Sequence, residues 1–168
     1  MNNDELIETL RGIRFLHDIG PMHLEQLAII SRIRDFADGD IVFRQGDAAQ
    51  YIYLIVSGNV SLEICAAGVG CRQILTLGAG ELLGWSSVLE QLNYTARARA
   101  LDETRLVEVE ITQLLAICDR DPQFGYELMR QVAVALAKRL SATRMQLVDV
   151  YGANMPVLPY EVEAGHGQ

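Results

Sequence analysis

Short segments rich in β-branched and aromatic residues fill residues 36–110 and constrain the fold most strongly. They include DIVFRQGD, YIYLIVSGNVSLEI, RQILTLGAG, ARARAL and TRLVEVE. Turn residues separate them at a fairly regular spacing: Asp38-Gly39, Gly46-Asp47, Ser57-Gly58-Asn59, Gly68 to Gly70 and Gly78 to Gly80. Many short strands with glycine turns predict a sandwich, a jelly roll or a small barrel.

Helical periodicity flanks this region on both sides. Residues 1–35 are predicted to form an N-terminal helical segment, which restarts at Pro21. Residues 111–151 are predicted to form C-terminal helices, a short one that stops before Pro122 and a longer one after it. Residues 152–168 have no periodicity and contain two prolines, which predicts a flexible tail.

The long helix after Pro122 carries a heptad pattern. From Tyr126 to Val150, residues spaced alternately three and four apart form a seam, which is typical of a helix that pairs with another helix. Packing of an amphipathic helix on its own β-region is the alternative. We favour a homodimer because the seam is longer than a small barrel could cover. The predicted interface residues are Met129, Ala133, Leu136, Leu140, Thr143 and Leu147.

Composition limits the partners of the chain. Half of the residues are hydrophobic, 21% are charged and the formal net charge is -8. This charge argues against non-specific binding to nucleic acid or anionic lipid, because both are polyanions. The N-terminus lacks the basic start and apolar run of a signal peptide, and no uncharged stretch is long enough to span a bilayer. We therefore expect a cytoplasmic protein without a membrane partner.

The cysteines and histidines show no metal-ligand spacing, so no metal site is predicted. Cys65, Cys71 and Cys118 are predicted to be reduced, although Cys65 and Cys71 could flank a hairpin. His17 and His23 lie on either side of a predicted turn and are expected at the surface. The GxSxG, HExxH, P-loop and dinucleotide-binding motifs are all absent from the sequence, which argues against an enzyme.

The order of these elements and two long motifs resemble the cyclic nucleotide-binding domain family. DGDIVFRQGDAAQYIYLIVSGNVSLEI is similar to the opening signature of the family, and LGAGELLGWSSVL continues the match into its phosphate-binding cassette, at residues 80–101 here. The resemblance covers residues 10–150 and implies an α+β fold. That fold has N-terminal helices, a β-roll (a double-stranded β-helix) of about eight strands and a long C-terminal dimerisation helix.

Two side chains that carry nucleotide binding in this family are replaced here. In the family, a glutamate accepts a hydrogen bond from the ribose 2′-hydroxyl, and an arginine neutralises the cyclic phosphate beside the amides of a short helix. Aligned through Gly84 and the closing ARAL, this chain has Trp85 at the glutamate position and Tyr94 at the arginine position. Glu81 lies four residues before the glutamate position. The resemblance therefore implies the shape of the cassette without its usual chemistry.

Arg97, at the Thr/Ser position of the family, is a candidate for the missing charge. Thr95, Arg97 and Arg99 alternate with alanines, so in a strand the polar residues share one face. If that face lines the roll, Arg97 would bind an anion together with the hydroxyls and helix-start amides of Ser86 and Ser87. Alternatively, the alanines pack inward and the arginines face solvent, since burying an unpaired arginine costs on the order of several kcal/mol.

Trp85 and Tyr94 also have two interpretations. They fill the vacated pocket as a dry core, or they form a stacking platform for another planar ligand. The candidate ligand-binding residues are Gly84, Trp85, Ser86, Ser87, Tyr94, Thr95 and Arg97.

We predict a stand-alone, non-enzymatic regulatory or sensor domain with a degenerate cassette. It acts as a signalling or protein-interaction module through a homodimer and an effector protein. A genuine cAMP or cGMP receptor that uses Arg97 is the alternative. No cofactor is expected beyond such a nucleotide or another anionic small molecule. Transcription factors of the family add a winged helix-turn-helix, whereas this chain ends soon after the long helix, so we expect no direct DNA binding.

Overall fold

The computed structural model describes residues 3–85, 88 and 93–154 of the 168-residue chain. Its N-terminal part contains α1 (Asn3–Arg11), a 3-10 helix (Arg14–Leu16) and α2 (Pro21–Ile29). α2 begins with a proline, whose missing N–H costs no hydrogen bond in the first turn of a helix. Leu10 of α1 and Leu24 of α2 are buried, so both helices turn apolar side chains inward.

Eight strands lie within the described residues: β1 (Ser31–Phe36), β2 (Ile41–Phe43), β3 (Tyr51–Ser57), β4 (Val60–Ala66), β5 (Gly70–Leu77), β6 (Leu82–Leu83), β7 (Arg97–Ala100) and β8 (Thr104–Glu110). They form two antiparallel four-stranded sheets, in the orders β1-β8-β3-β6 and β2-β7-β4-β5. The predicted β-roll between N-terminal helices and a long C-terminal helix is confirmed.

The core of the roll combines residues from both sheets. Ile55 and Leu106 of the first sheet and Val60 and Ala98 of the second are fully buried in one apolar cluster. Burial of each of the three larger side chains, those of Ile55, Leu106 and Val60, stabilises the fold by about 1.5–3 kcal/mol. The cluster also contains aromatic residues that belong to the cassette region.

β1 begins earlier than the sequence analysis expected. Residues 31–35 were assigned to the helical segment, but they form a strand that pairs with β8 along its whole length. Arg32 and Arg34 donate hydrogen bonds to the two carboxylate oxygens of Glu108 on β8, at 2.8 and 2.9 Å. The partner strand lies far away in sequence, with Phe36 paired to Thr104 at the near end, so local periodicity could not reveal this pairing.

α3 (Ile111–Arg120) starts directly after β8. The carboxylate of Glu110 accepts hydrogen bonds from the N–H groups of Thr112 and Gln113, at 3.2 and 3.0 Å. This N-cap satisfies two amides that lack partners within the helix. β8 and α3 are therefore joined without a loop.

α4 (Pro122–Tyr151) carries buried and exposed apolar residues. Phe124, Leu128 and Val132, four residues apart, are buried. The residues of the predicted heptad seam are exposed or half-buried, and Leu140 and Leu147 are 52% and 50% exposed. The homodimer stays a prediction. A 3-10 turn (Gly152–Asn154) follows, and the rest of the predicted tail, residues 155–168, lies outside the described residues.

A search of the described residues for membrane spans finds no helix of sufficient length and apolar character.

Cys65 and Cys71 form a disulfide, so the prediction of three reduced cysteines is wrong for this pair. The two residues lie directly opposite each other on β4 and β5. Side chains at facing positions of an antiparallel pair are close enough for a disulfide. The remaining cysteine, Cys118, is free and half-buried, and burial raises the pKa of its thiol.

His23 is buried, which corrects the surface position predicted for it. Its Nε2 lies 2.8 Å from Oδ2 of Asp121, and this hydrogen bond lowers the pKa of Asp121. Its ring packs 4.9 Å from that of Phe124. α2 meets the junction of α3 and α4 here, a contact between segments about a hundred residues apart. His17 is exposed, as predicted. The described part of the chain contains no cluster of three potential metal ligands.

Candidate ligand site in the β-roll

Gly84 places the start of the cassette against a group of tyrosines. Its φ of 77° is one that residues with a side chain rarely adopt. A Cβ at this position would lie 3.0 Å from the carbonyl oxygen of Tyr51, and 3.3 and 3.4 Å from the rings of Tyr94 and Tyr53. Both the backbone conformation and the close approach therefore require glycine.

Tyr94, which the resemblance aligns with the family arginine, is only 5% exposed. Its ring stacks on Phe43 with 4.0 Å between centroids, and Phe43 in turn stacks on Tyr53 at 5.7 Å. The Tyr94 hydroxyl donates to the carbonyl oxygen of Tyr51 at 2.7 Å and accepts from its N–H at 3.2 Å. The ring is thus packed and the hydroxyl is hydrogen-bonded, as expected for a buried tyrosine.

The buried tyrosines are uncharged. Burial raises the pKa of Tyr94, and burial together with the nearby Tyr94 raises the pKa of Tyr53. Both phenols stay neutral throughout the physiological pH range. The residue that the resemblance aligns with the family arginine is therefore a neutral ring.

The backbone of Tyr94 is fixed by the turn between β2 and β3. The N–H of Gly46 donates to the carbonyl oxygen of Tyr94 at 2.8 Å, and the N–H of Tyr94 donates to the carbonyl oxygen of Asp47 at 2.9 Å. This pair of bonds holds the backbone of Tyr94, while Phe43 and Tyr51 hold its side chain. Movement of Tyr94 therefore requires movement of the turn.

β7 turns its alanines and arginines to opposite faces. Ala98 and Ala100 are fully buried, and Ala98 belongs to the core cluster. Arg97 and Arg99 lie on the other face, where both bind the carboxylate of Glu63 on β4. Arg97 donates from Nε at 2.7 Å and also from Nη2, while Arg99 donates from Nε and Nη2 at 2.9 and 2.6 Å. Of the two alternatives from the sequence, the alanines pack inward.

Glu63 is a buried carboxylate shared by two guanidinium groups. Burial opposes its ionisation, but hydrogen bonds from Arg99, Arg97 and Ser61 outweigh burial and lower the pKa of Glu63. The Ser61 hydroxyl donates at 2.9 Å. The arginine side chains are 25% and 37% exposed, so the group keeps one net positive charge close to solvent. We call Ser61, Glu63, Arg97 and Arg99 the β4–β7 ion cluster.

Sequence analysis found only part of this arrangement. It singled out Gly84, Tyr94 and Arg97, but the structure brings only Gly84 and Tyr94 together with the core aromatics. Trp85 is half-buried and Thr95 is exposed. Ser86 and Ser87 lie outside the described residues.

Glu63 was missed as the partner of the arginines. An acidic residue at the centre of an otherwise apolar strand was the signal that could have found it.

An eight-stranded roll with a glycine-framed cassette defines a regulatory or sensor domain. The family model for the cyclic nucleotide-binding domain matches residues 33–121. The chain belongs to the cyclic nucleotide-binding domain family.

Two relatives illustrate the similarity. The chain is 30% identical over 138 residues to the cyclic AMP receptor protein of Thermus thermophilus, which covers 82% of this chain and 62% of that relative. The chain thus spans less than two thirds of the length of this relative. The N-terminal domain of a transcriptional regulator from Streptomyces coelicolor superposes with a TM-score of 0.64 and 25% identity, covering 77% of this chain and 93% of that one.

A third similarity is to the crystal structure of the catabolite activator protein of Thermus thermophilus. The TM-score is 0.65 at 29% identity, and the match covers 83% of this chain and 63% of that one.

Proposed function

We propose that this chain is a non-enzymatic regulatory module whose roll does not bind cAMP or cGMP through the usual contacts of the family. The observation that carries the proposal is the buried ring of Tyr94 at the arginine position. A cyclic phosphate at this point would have to displace the ring from Phe43 and break both hydrogen bonds with Tyr51. It would meet a neutral phenol instead of a cation, and so would lose the charge-assisted hydrogen bonds that hold a phosphate.

The proposal assigns Arg97 to stability instead of ligand binding. Its guanidinium makes two hydrogen bonds to Glu63 on the face of β7 opposite the buried alanines. If Arg97 moved to bind an anion in the roll, the buried carboxylate of Glu63 would keep only one arginine as its partner. Removing one partner from a buried ion pair is strongly destabilising. Of the two interpretations of Tyr94, these contacts favour filling of the pocket over a stacking platform.

Calorimetric titration of the purified chain with cAMP and cGMP at low salt tests this proposal. We expect no binding heat from either nucleotide. A double variant, Trp85→Glu with Tyr94→Arg, returns the two family side chains to their positions, and we expect it to bind at least one nucleotide more tightly than the unmodified chain.

Micromolar binding by the unmodified chain would overturn the proposal. The Arg97→Ala variant would then identify the phosphate ligand. Loss of affinity at an unchanged melting temperature would support a true receptor that uses Arg97.

We further propose that α4 pairs with α4 of a second copy. The seam residues Leu140 and Leu147 lie seven apart and are half exposed in the single chain, whereas Phe124 and Leu128 are already buried. An apolar stripe left open on a helix is typical of an interface with another helix. A second copy supplies an identical stripe, which is the requirement for a symmetric pair.

Light scattering at micromolar concentration tests the pairing. We expect twice the 18.6 kDa mass of one chain. Leu140→Glu combined with Leu147→Glu places like charges in the seam and is expected to give the single-chain mass. Ser141→Glu, an exposed α4 residue outside the seam, is the matched control and should leave the mass unchanged. A single-chain mass for the unmodified protein would rule the pairing out.

A further inference from the structure

The disulfide of the β4–β5 hairpin lies beyond the part of the hairpin that the core holds. Val60 and Leu77 anchor the base of the hairpin in the core, and the register shifts between Leu62 and Glu63. Such a bulge interrupts the ladder and separates the outer end of a hairpin from its base. The turn of residues 66–70, which joins Cys65 to Cys71 along the chain, is exposed throughout. The cystine links the two strands covalently at this outer end.

The cystine is accessible to an external thiol. Cys71 is exposed and Cys65 is half-buried. Exposed disulfides are the ones that exchange with external thiols, whereas buried ones are inert. The disulfide closes a sequence separation of only six residues, so it constrains the outer end of the hairpin more than the fold as a whole.

One route of contacts links Cys65 to Tyr94. The N–H of Cys65 donates to the side-chain oxygen of Gln45 at 2.8 Å. Gln45 is followed by Gly46 and Asp47, the two residues that hold the backbone of Tyr94 through its carbonyl oxygen and its N–H. The outer end of the hairpin is therefore one side-chain hydrogen bond away from the turn that fixes the cassette.

A second route runs through the β4–β7 ion cluster. Glu63 precedes Cys65 by two residues on β4 and lies on the same side of the bulge. Its carboxylate holds Arg97 and Arg99 on β7, the strand at the end of the cassette. The end of β4 thus contacts both the turn that holds Tyr94 and the strand after it.

We propose that the Cys65–Cys71 cystine is a redox modification site whose substrate class is a dithiol reductant, and that its redox state changes the conformation of the cassette around Tyr94. The inference goes beyond the proposed function, because it stands whether or not the roll binds a nucleotide. In the oxidised protein the cystine fixes the register of the outer hairpin. In the reduced protein only hydrogen bonds hold it, and the contact of Cys65 with Gln45 loosens.

The exchange balances in two steps. A thiolate of the dithiol attacks Sγ of Cys71, forms a mixed disulfide and expels the Cys65 thiolate. The second thiol of the reductant then attacks the reductant sulfur that is bonded to Cys71, which closes the disulfide of the reductant and releases the Cys71 thiolate. Two electrons pass to the cystine, the dithiol becomes a disulfide, and its two protons are taken up by the two new thiolates. A second dithiol or an external oxidant is not required.

The sequence provides a reporter at the cassette, because Trp85 is the only tryptophan. The test compares Trp85 emission of the full chain before and after treatment with dithiothreitol, a dithiol. Thiol titration measures the redox state by counting free thiols. We expect one, that of Cys118, before reduction and three after it. We expect reduction to shift the Trp85 emission and to speed amide exchange at Gly46 and Tyr94 severalfold.

Three variants test whether the cystine, Cys118 or the contact with Gln45 causes the response to dithiothreitol. Cys65→Ser with Cys71→Ser should show the emission of the reduced protein without dithiothreitol and should not respond to it. Cys118→Ser should respond like the unmodified chain. Gln45→Ala should still form the cystine but should lose most of the response at Gly46 and Tyr94.

Three titratable thiols before reduction would overturn the inference, since the cystine would not exist in solution. Reduction without any change at Trp85, Gly46 or Tyr94 would also overturn it. Nucleotide titration of the oxidised chain is independent of both results, so failure of the proposed function would be visible separately.

Discussion

Tyr94 and Arg97 lie three apart in sequence but in opposite environments. The inside of the roll at Tyr94 holds a neutral polar group, whereas the outer face of β7 at Arg97 holds charged groups. Inside, the neutral phenol of Tyr94 is stacked on Phe43, and its hydroxyl is bound twice by Tyr51. Outside, two guanidinium groups surround the buried carboxylate of Glu63. The roll buries this neutral ring, while the charges of the β4–β7 ion cluster pair with one another outside the core.

The physical reason for this separation is the cost of an unbalanced buried charge. A guanidinium inside the roll without a bound anion would be desolvated and unpaired, whereas an aromatic ring gains free energy from the same burial. On the outer face, the arginines have Glu63 as a partner and keep contact with water. Burial therefore favours the ring of Tyr94 inside the roll and the guanidinium of Arg97 on the outer face.

Replacing Tyr94 with alanine should have the largest effect on this comparison. It leaves a cavity beside Phe43 and two unpaired polar groups on Tyr51, and large-to-small changes of this kind lower the free energy of unfolding by about 3–5 kcal/mol. Urea denaturation measures the loss. Tyr94→Phe keeps the ring and removes only the hydroxyl, so its loss should be about 1 kcal/mol.

If Tyr94→Ala were as stable as the unmodified chain, the ring could not be packed as described. Equal losses for the alanine and phenylalanine variants would mean that the hydroxyl, and not the ring, holds the site together.

Replacing Glu63 with glutamine should have the next largest effect. It removes the charge that both arginines share, and we expect a loss of about 1–3 kcal/mol, less than for a fully buried pair because both arginines reach solvent. The matched control is Asp35→Asn, which removes the carboxylate from the exposed pair with Arg105 on neighbouring strands. Water screens exposed ion pairs, so the control should change little in the same urea titration.

The acid dependence of stability is the second measurement on Glu63→Gln. The pKa of Glu63 is lower in the folded chain than the value of about 4.3 usual for an unfolded glutamate. Its ionisation therefore contributes stability fully above that value, and the contribution is lost as pH falls through the lower folded pKa. The difference in stability between the unmodified chain and the variant should shrink below about pH 4.

A constant difference between the two proteins down to strongly acidic pH would show that Glu63 does not contribute through its charge. Loss of the same size in Asp35→Asn would show that the effect is not specific to the β4–β7 ion cluster.

Local patterns predicted most of the elements correctly, whereas the degenerate cassette stays a prediction. Glycine turns and alternating apolar residues are properties of neighbouring residues, so the strands from β2 onward and the long α4 could be found from the sequence. The replacements at Trp85 and Tyr94 were visible for the same reason, because the cassette is one continuous stretch. β1 was missed, since its strand character depends on pairing with β8.

The sequence by itself determined the order of the helices, the strands from β2 onward and the glycine at position 84. Only the tertiary structure decided which charges pair, which histidine is buried and which cysteines join. Glu63 meets Arg97, His23 meets Asp121 and Cys65 meets Cys71 through strand register and helix packing. Such contacts depend on the position of the whole chain in space, and a single sequence records only the neighbours along the chain.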